Sequence, residues 1–282
     1  MVCRLEMASP RGATLIAKRS APASAALERG IYRDLLPLLP LRSLRYHGCL
    51  ERDDQGFSWL FLEDAGDERF PAAEAGVLGR WLGTLHGSAA SLAPLGELPA
   101  RGVDHYFAHL TSARQRMRSN LDHPRLGERD RRALRKLASA CDAVEAGWEK
   151  VIEATRAERP TLVHGDLVER NVRVRREPGA AFVLAFDWEC AGRGLIAPDL
   201  QLIGEHRFGR GLPAYHAAVR RFWPELHLER LRRLAEIGHG LRLLASVDWA
   251  SVYLDCPWPE RGLGRLHFYV EPLARWAAGL AS

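Results

Sequence analysis

The chain has 282 residues, 47% hydrophobic and 27% charged, with a formal net charge of +5, which is an ordinary globular composition long enough for two modest lobes. No apolar run approaches the roughly eighteen residues a membrane helix needs. The opening MVCRLEMASPRG lacks the apolar centre of a secretion signal, and the five scattered cysteines form no CxxC pair, so a cytoplasmic address is expected and a disulfide framework or zinc site is not. Of 40 basic residues three are Lys and 37 are Arg, spread along the whole chain; this reads as compositional bias, not a nucleic-acid-binding face.

In chain order, residues 1–20 read as a hairpin with a turn at Ser9, Pro10, Arg11 and Gly12, and Lys18 lies near the end of its second strand. Residues 21–39 carry apolar positions at helical spacing, with Ser24 as a cap and Glu28 inside. Residues 44–51 and 57–62 are short strands around a charged turn, followed by Leu62-Glu63-Asp64-Ala65-Gly66. Residues 72–90 form a helix with Val77, Leu78, Trp81, Leu82 and Leu85 on one face, where His86 reads as a packed or capping residue and not as a base. After a Pro/Gly-rich loop, residues 104–118 and 129–157 form two amphipathic helices. The end of the chain is mostly helical, at 215–223, 228–253 and 266–281, with a Pro-rich break at Cys256-Pro257-Trp258-Pro259.

The informative stretch is His164 to Asp187, HGDLVERNVRVRREPGAAFVLAFD. It offers a carboxylate (Asp166), an amide five residues on (Asn171) and a second carboxylate (Asp187) closing a short apolar strand. Magnesium-dependent phosphoryl transfer requires such a set: one group positions and deprotonates an attacking hydroxyl, and two hold the metal.

HGD, Asn171 and Asp187-Trp188-Glu189 together resemble the signature of the aminoglycoside phosphotransferase and choline kinase group, small-molecule kinases on a protein-kinase-like fold. The resemblance implies an α+β, two-lobed fold with a small, shortened, β-rich N-lobe (residues 1–64) and a larger helical C-lobe (65–282). It implies an enzyme that uses ATP or GTP and Mg2+ to phosphorylate a small-molecule alcohol. Asp166 is the expected catalytic base, and Asn171 and Asp187 the metal ligands. Lys18, paired with Glu28, would hold the α and β phosphates, while the backbone of Leu62 and Asp64 would meet the purine. Asp199 would brace the catalytic loop. Pro198-Asp199-Leu200 follows Asp187 too soon for a protein kinase's activation segment, so small molecules are the expected acceptors. In this group the C-terminal helices wall the acceptor site; Asp248 and Trp249, with Tyr253, Asp255 and Trp258, form the acidic and aromatic cluster that would receive an amine-bearing acceptor.

One departure stands out. Kinase-like N-lobes begin with a further strand and a phosphate-covering turn ahead of the Lys strand, and here only seventeen residues precede Lys18. The alternative expectation is therefore a catalytically inactive, kinase-like binding module that lacks the phosphate-covering loop.

Overall fold

A computed structural model describes residues 1–6, 14–205 and 209–281. The first layer is a four-stranded antiparallel sheet made of β1 (Val2–Glu6), β2 (Thr14–Ser20), β3 (Tyr46–Leu50) and β4 (Ser58–Glu63), in the order β1-β2-β4-β3. β1 and β2 pair antiparallel in the register Leu5 to Leu15, as the hairpin reading requires; the turn at Ser9 to Gly12 lies outside the described residues. β4 alternates buried and half-buried positions, so Leu60 and Leu62 reach the core while Trp59 and Phe61 lie on the other face. β2, with Lys18, has a neighbour on each side, and the exposed β1 takes the edge.

α1 (Pro22–Gly30) packs on this sheet. Pro in its first turn needs no amide partner, and the helix widens into a π turn at Ile31–Leu35, three residues after Glu28. Turns of this kind recur beside functional sites.

The helical part follows as α2 (Ala75–Ala89), the two-residue strand β5 (Ala100–Arg101), α3 (Val103–Ser119), α4 (Glu128–Ala146) and α5 (Trp148–Thr155). The expected single helix over 129–157 is thus two, divided at Gly147, a poor helix former whose α-carbon faces Leu280 too closely for a larger residue to be comfortable. Next come β6 (Thr161–Val163) and the hairpin β7 (Val172–Glu177) and β8 (Ala180–Ala185), which turns at Pro178-Gly179. The strand β9 (Gly192–Gly194), α6 (Ala197–Leu200), α7 (Gly211–Val219), α8 (Leu228–Ser251) and α9 (Glu260–Ala281) complete the chain. α9 starts six residues before the expected Leu266, across Gly262 and Gly264, whose low propensity hid its first turns.

Two apolar clusters hold these layers. One joins the sheet and α1 to α2, the β7–β8 hairpin, α6 and α7; the other lies among α3, α4, α5, α8 and α9. α2 and α7 approach closely because Gly79 and Gly83 face α7 one turn apart, and a Cβ on Gly79 would overlap the Gly211 carbonyl.

Gly79→Ala should therefore destabilise the fold. Overpacking of about 1–3 kcal/mol exceeds the roughly 1 kcal/mol gain in helix propensity. Gly76→Ala, where a Cβ would make only ordinary contacts, should be neutral or slightly stabilising. Urea midpoints of the two variants shifting in the same direction would contradict the close α2–α7 approach.

Candidate active site

β6 delivers His164 into a loop that folds around a buried carboxylate. Asp199, from α6, accepts the amides of His164 (2.6 Å) and Gly165 (3.0 Å) and is fully buried. It also lies 3.4 Å from His86 Nε2 on α2, whose Nδ1 is 3.0 Å from the Tyr215 hydroxyl of α7. His86 is thus packed and bonded, as expected, and Asp199 does the bracing that the resemblance implies. Burial works to raise the Asp199 carboxyl, but the imidazoles of His86 and His164 and the His164 amide outweigh it and hold the group below its ordinary range. Gly165 sits at φ +75°, and a Cβ there would strike the Cys190 carbonyl, so the loop requires glycine.

A second carboxyl group, on the half-buried Glu158, fixes α6 itself. Glu158 Oε2 accepts the amides of Ile196 (2.7 Å) and Ala197 (3.2 Å) at the start of that helix. Its Oε1 is inaccessible and has no partner among the described residues, and burial pushes its carboxyl up to about 8.

Asp166 is nearly buried and heavily engaged. One oxygen accepts from Arg170 Nη2 (2.8 Å) and Asn171 Nδ2 (3.2 Å); the other pairs with Arg242 Nη2 from α8. Arg242 also donates to the Gly165 carbonyl (2.7 Å), so α8 holds the loop as well as the carboxylate. The His164 ring stands 4.6 Å from Trp188, and its Nε2 is 3.0 Å from the Phe186 carbonyl. Burial lowers the His164 pKa, which suits a neutral ring donating from that nitrogen.

Asn171 commits its Nδ2 to the Asp166 carbonyl and carboxylate, leaving Oδ1 as the end open to a cation. Its own carbonyl accepts from Phe186 (3.0 Å), which sets Asn171 beside the strand end carrying Asp187. Asp187 adopts the left-handed conformation, φ +70°, one of two non-glycine residues with positive φ among the described residues. Such backbone is uncommon outside turns and functional sites.

Lys18 joins the sheet to this hairpin. Its Nζ meets Glu28 Oε1 at 2.5 Å, pairs with Asp187, and lies 3.5 Å from Glu189. Burial works to lower the Lys18 pKa, but the charges of Glu28 and Asp187 outweigh it and keep the ammonium charged above its usual range. The expected Lys18–Glu28 pair is therefore in place. Carboxylate oxygens of Glu28, Asp187 and Glu189 lie within 4.8 Å of one another around it.

Two expectations are corrected. Leu62 is buried in the central strand, in register with Ile16 on one side and Tyr46 on the other, and the Asp64 carbonyl accepts from Arg175 (3.0 Å). The Leu62 strand position and the Asp64 carbonyl thus already have protein partners; the Asp64 carboxylate, paired with Arg4 and accepting from Thr14, ties down β1. Asp248 and Trp249 do not form an open cation box either. Asp248 turns to His109 Nδ1 (2.7 Å) and Arg116 Nη1 (2.5 Å), which hold its carboxyl low against burial, while Asp255 pairs with Arg116 (3.2 Å). The face of Trp249 is covered by the chain's own cation, the Arg242 guanidinium at 4.9 Å. Sequence reasoning missed Arg170, Arg242 and Glu158. Arg170 sits inside the motif and Arg242 two turns before Trp249 on the same helix face, whereas nothing in the local pattern marks Glu158.

A small sheet and a helical body meet at Asp166, Asn171, Asp187 and Lys18, and only residues 188–198 separate Asp187 from the brace Asp199. That arrangement defines a kinase-like phosphotransferase for small molecules, with no room for a regulated protein-kinase segment. Residues 8–236 match the family described as the phosphotransferase enzyme family, and the chain belongs to it. Among solved structures it is similar to a microcompartment-associated aminopropanol kinase, at 14% identity and TM-score 0.65 over 98% of this chain and 91% of that one. It is also similar to an ethanolamine kinase of Plasmodium vivax, at 10% identity and TM-score 0.61 over 98% and 84%. The GDP complex of wild-type aminoglycoside 2'-phosphotransferase-IIIa matches at 15% identity and TM-score 0.59 over 96% and 93%. No curated protein sequence matches the chain. None of the helices among the described residues is long and apolar enough to cross a membrane.

The sign of the Glu158 effect can be tested. A carboxyl whose folded pKa stands near 8, against an ordinary 4.5, contributes stability that is complete below 4.5 and is lost as pH rises through 8. The urea midpoint should therefore fall between about pH 5 and 8, and Glu158→Gln should remove that component of the slope. An unchanged slope in the variant would mean that the Glu158 carboxyl is ionised across the whole range.

Proposed function

We propose that the chain transfers the γ-phosphoryl group of ATP or GTP, with magnesium, to a hydroxyl of a small molecule. The observation that supports this most is the convergence, at one end of the β7–β8 hairpin, of Asp166, Asn171 and Asp187 with the Lys18–Glu28 pair. A non-catalytic scaffold has no physical need for all five.

The donor set suits a hard cation: the Asp187 carboxylate and the Asn171 amide oxygen are the oxygen ligands magnesium prefers, with Glu189 close by. Asp187 and Asn171 would hold the metal, whose chemistry there would be neutralisation of the charge on the nucleotide phosphates. Lys18, which Glu28 holds and orients, reaches Asp187 and so lies where α and β phosphates would approach that carboxylate. Asp166 accepts the proton of the acceptor hydroxyl as its oxygen bonds to the γ-phosphorus, and the bond from that phosphorus to the β–γ bridging oxygen breaks, releasing the diphosphate. Arg170 and Arg242 fix both oxygens of Asp166, so the base is positioned before the acceptor arrives. Positioning and charge neutralisation supply most of the rate in such reactions, because the protein contributes little covalent chemistry. The similar structures named for an aminopropanol kinase, an ethanolamine kinase and a GDP-bound aminoglycoside phosphotransferase support an alcohol acceptor and a nucleotide donor.

Calorimetric titration of ATP and GTP with magnesium should show metal-dependent binding that Asp187→Ala abolishes. Asp166→Asn should bind nucleotide normally and lose turnover by about 100- to 10,000-fold. Turnover equal to the parent in either variant would refute the roles given. Metal-dependent binding with no turnover on any alcohol would instead favour a binding module.

A further inference from the structure

Beside the catalytic loop lies a cleft of about 890 Å³ between α8 and α9. We propose that the acceptor bound there is a hydroxylated organic anion with an apolar or aromatic body, held by Arg242, Arg265 and Arg275. The proposal rests on the phosphotransferase reading, which makes the hydroxyl facing Asp166 the reacting group.

The cleft is built from one face of each helix. On α8 its residues recur at Glu236, His239, Arg242, Ser246 and Trp249; on α9 they recur at Arg265, Phe268, Pro272, Arg275 and Gly279, the three- and four-residue spacing of a single helical stripe. The catalytic loop closes one end through Val168 and Arg170. Both Arg170 and Arg242 line the cleft and hold Asp166, so a molecule in it adjoins the proposed base.

The charges inside have one dominant sign. Four Arg and one carboxylate, Glu236, line the cleft, with His239 the other titratable side chain that faces it apart from Tyr269. Asp166 balances part of Arg170 and Arg242. Arg265 and Arg275 are exposed and have no hydrogen bond or ion pair with any described residue, while Arg242 is almost wholly buried with its Nε unpartnered among them. The carboxylate that could have reversed the balance, Asp248, belongs to the same helix but faces Arg116 and His109 outside the cleft. An amine entering this space would meet like charge, whereas a carboxylate or phosphate would find guanidinium forks suited to bidentate pairing. Tyr269 and Trp276 add flat apolar walls, and Phe268 remains 68% exposed beside them. Together they suit an acceptor with an apolar body.

The test uses three matched probes that share a phenyl ring and a secondary hydroxyl: phenyllactate, its amide, and the amino alcohol in which an aminomethyl group replaces the carboxylate. Binding to the full chain is measured by calorimetry without nucleotide, and phosphoryl transfer separately with magnesium and ATP by phosphorus NMR. Phenyllactate should bind at least roughly tenfold more tightly than either analogue, the size expected of one charge-assisted guanidinium contact. In the double variant R265Q/R275Q the advantage over the amide should fall by about threefold or more, Arg242, already paired with Asp166, supplying what remains. A preference for the amino alcohol, equal binding of all three, or no binding of phenyllactate overturns the proposal. Anion-selective binding without transfer to any probe upholds the anion site and counts against the kinase reading; transfer that favours the amino alcohol does the reverse.

Discussion

The buried carboxylate of Asp199 is the constraint on which the site depends. A fully buried charge is tolerated only when its lone pairs are filled, and here two consecutive loop amides and a histidine fill them. The consequence is geometric. Once Asp199 is placed, His164 and Gly165 cannot move independently of α6, and Asp166 follows one residue later. α6 is itself anchored through Glu158, and His86 and Tyr215 connect the same carboxylate to α2 and α7, whose close approach depends on glycine. Stability and positioning are therefore the same set of contacts, and a change that loosens α2 against α7 acts on the catalytic loop through His86.

The second organising feature is the distribution of charge on either side of that loop. On the sheet side, Lys18 stands among Glu28, Asp187 and Glu189, so acidic groups outnumber the one ammonium and an added cation has oxygen ligands to meet. On the helical side, Asp166 stands between Arg170 and Arg242, and guanidinium groups outnumber the one carboxylate. The two sides are joined by Asn171, whose amide donates to Asp166 while its carbonyl is held by Phe186. One side thus presents oxygen ligands suited to a cation, and the other a carboxylate held between guanidinium groups, an arrangement that fits the division of labour proposed for phosphoryl transfer.

What could be read from the chain alone follows from how local each determinant is. The catalytic loop, the hairpin ending in Asp187 and the pairing of Lys18 with Glu28 were legible because their residues are near neighbours or sit in a motif with fixed spacing. The hairpin of β1 and β2 was legible from alternation and turn residues. By contrast, the break at Gly147, the early start of α9 and the role of Glu158 depend on tertiary partners: Leu280 against Gly147, and the amides of Ile196 and Ala197 against Glu158. Backbone availability was the least legible of all, since the engagement of the Asp64 carbonyl comes from Arg175 on another sheet.

The pair Asp248 and Trp249 carries the more general lesson. A carboxylate next to an indole in a helical sequence looks like a place for an external cation, and in a chain with 37 Arg the internal supply of cations should have weighed against that reading. Two guanidinium groups reach the pair, Arg116 on Asp248 and Arg242 on Trp249. The same Arg242 holds Asp166, so a residue that covers Trp249 also fixes the carboxylate of the HGD motif. Which charge a cleft presents is decided by the groups left over after internal pairing, and pairing across more than a hundred residues of sequence is a property of the fold.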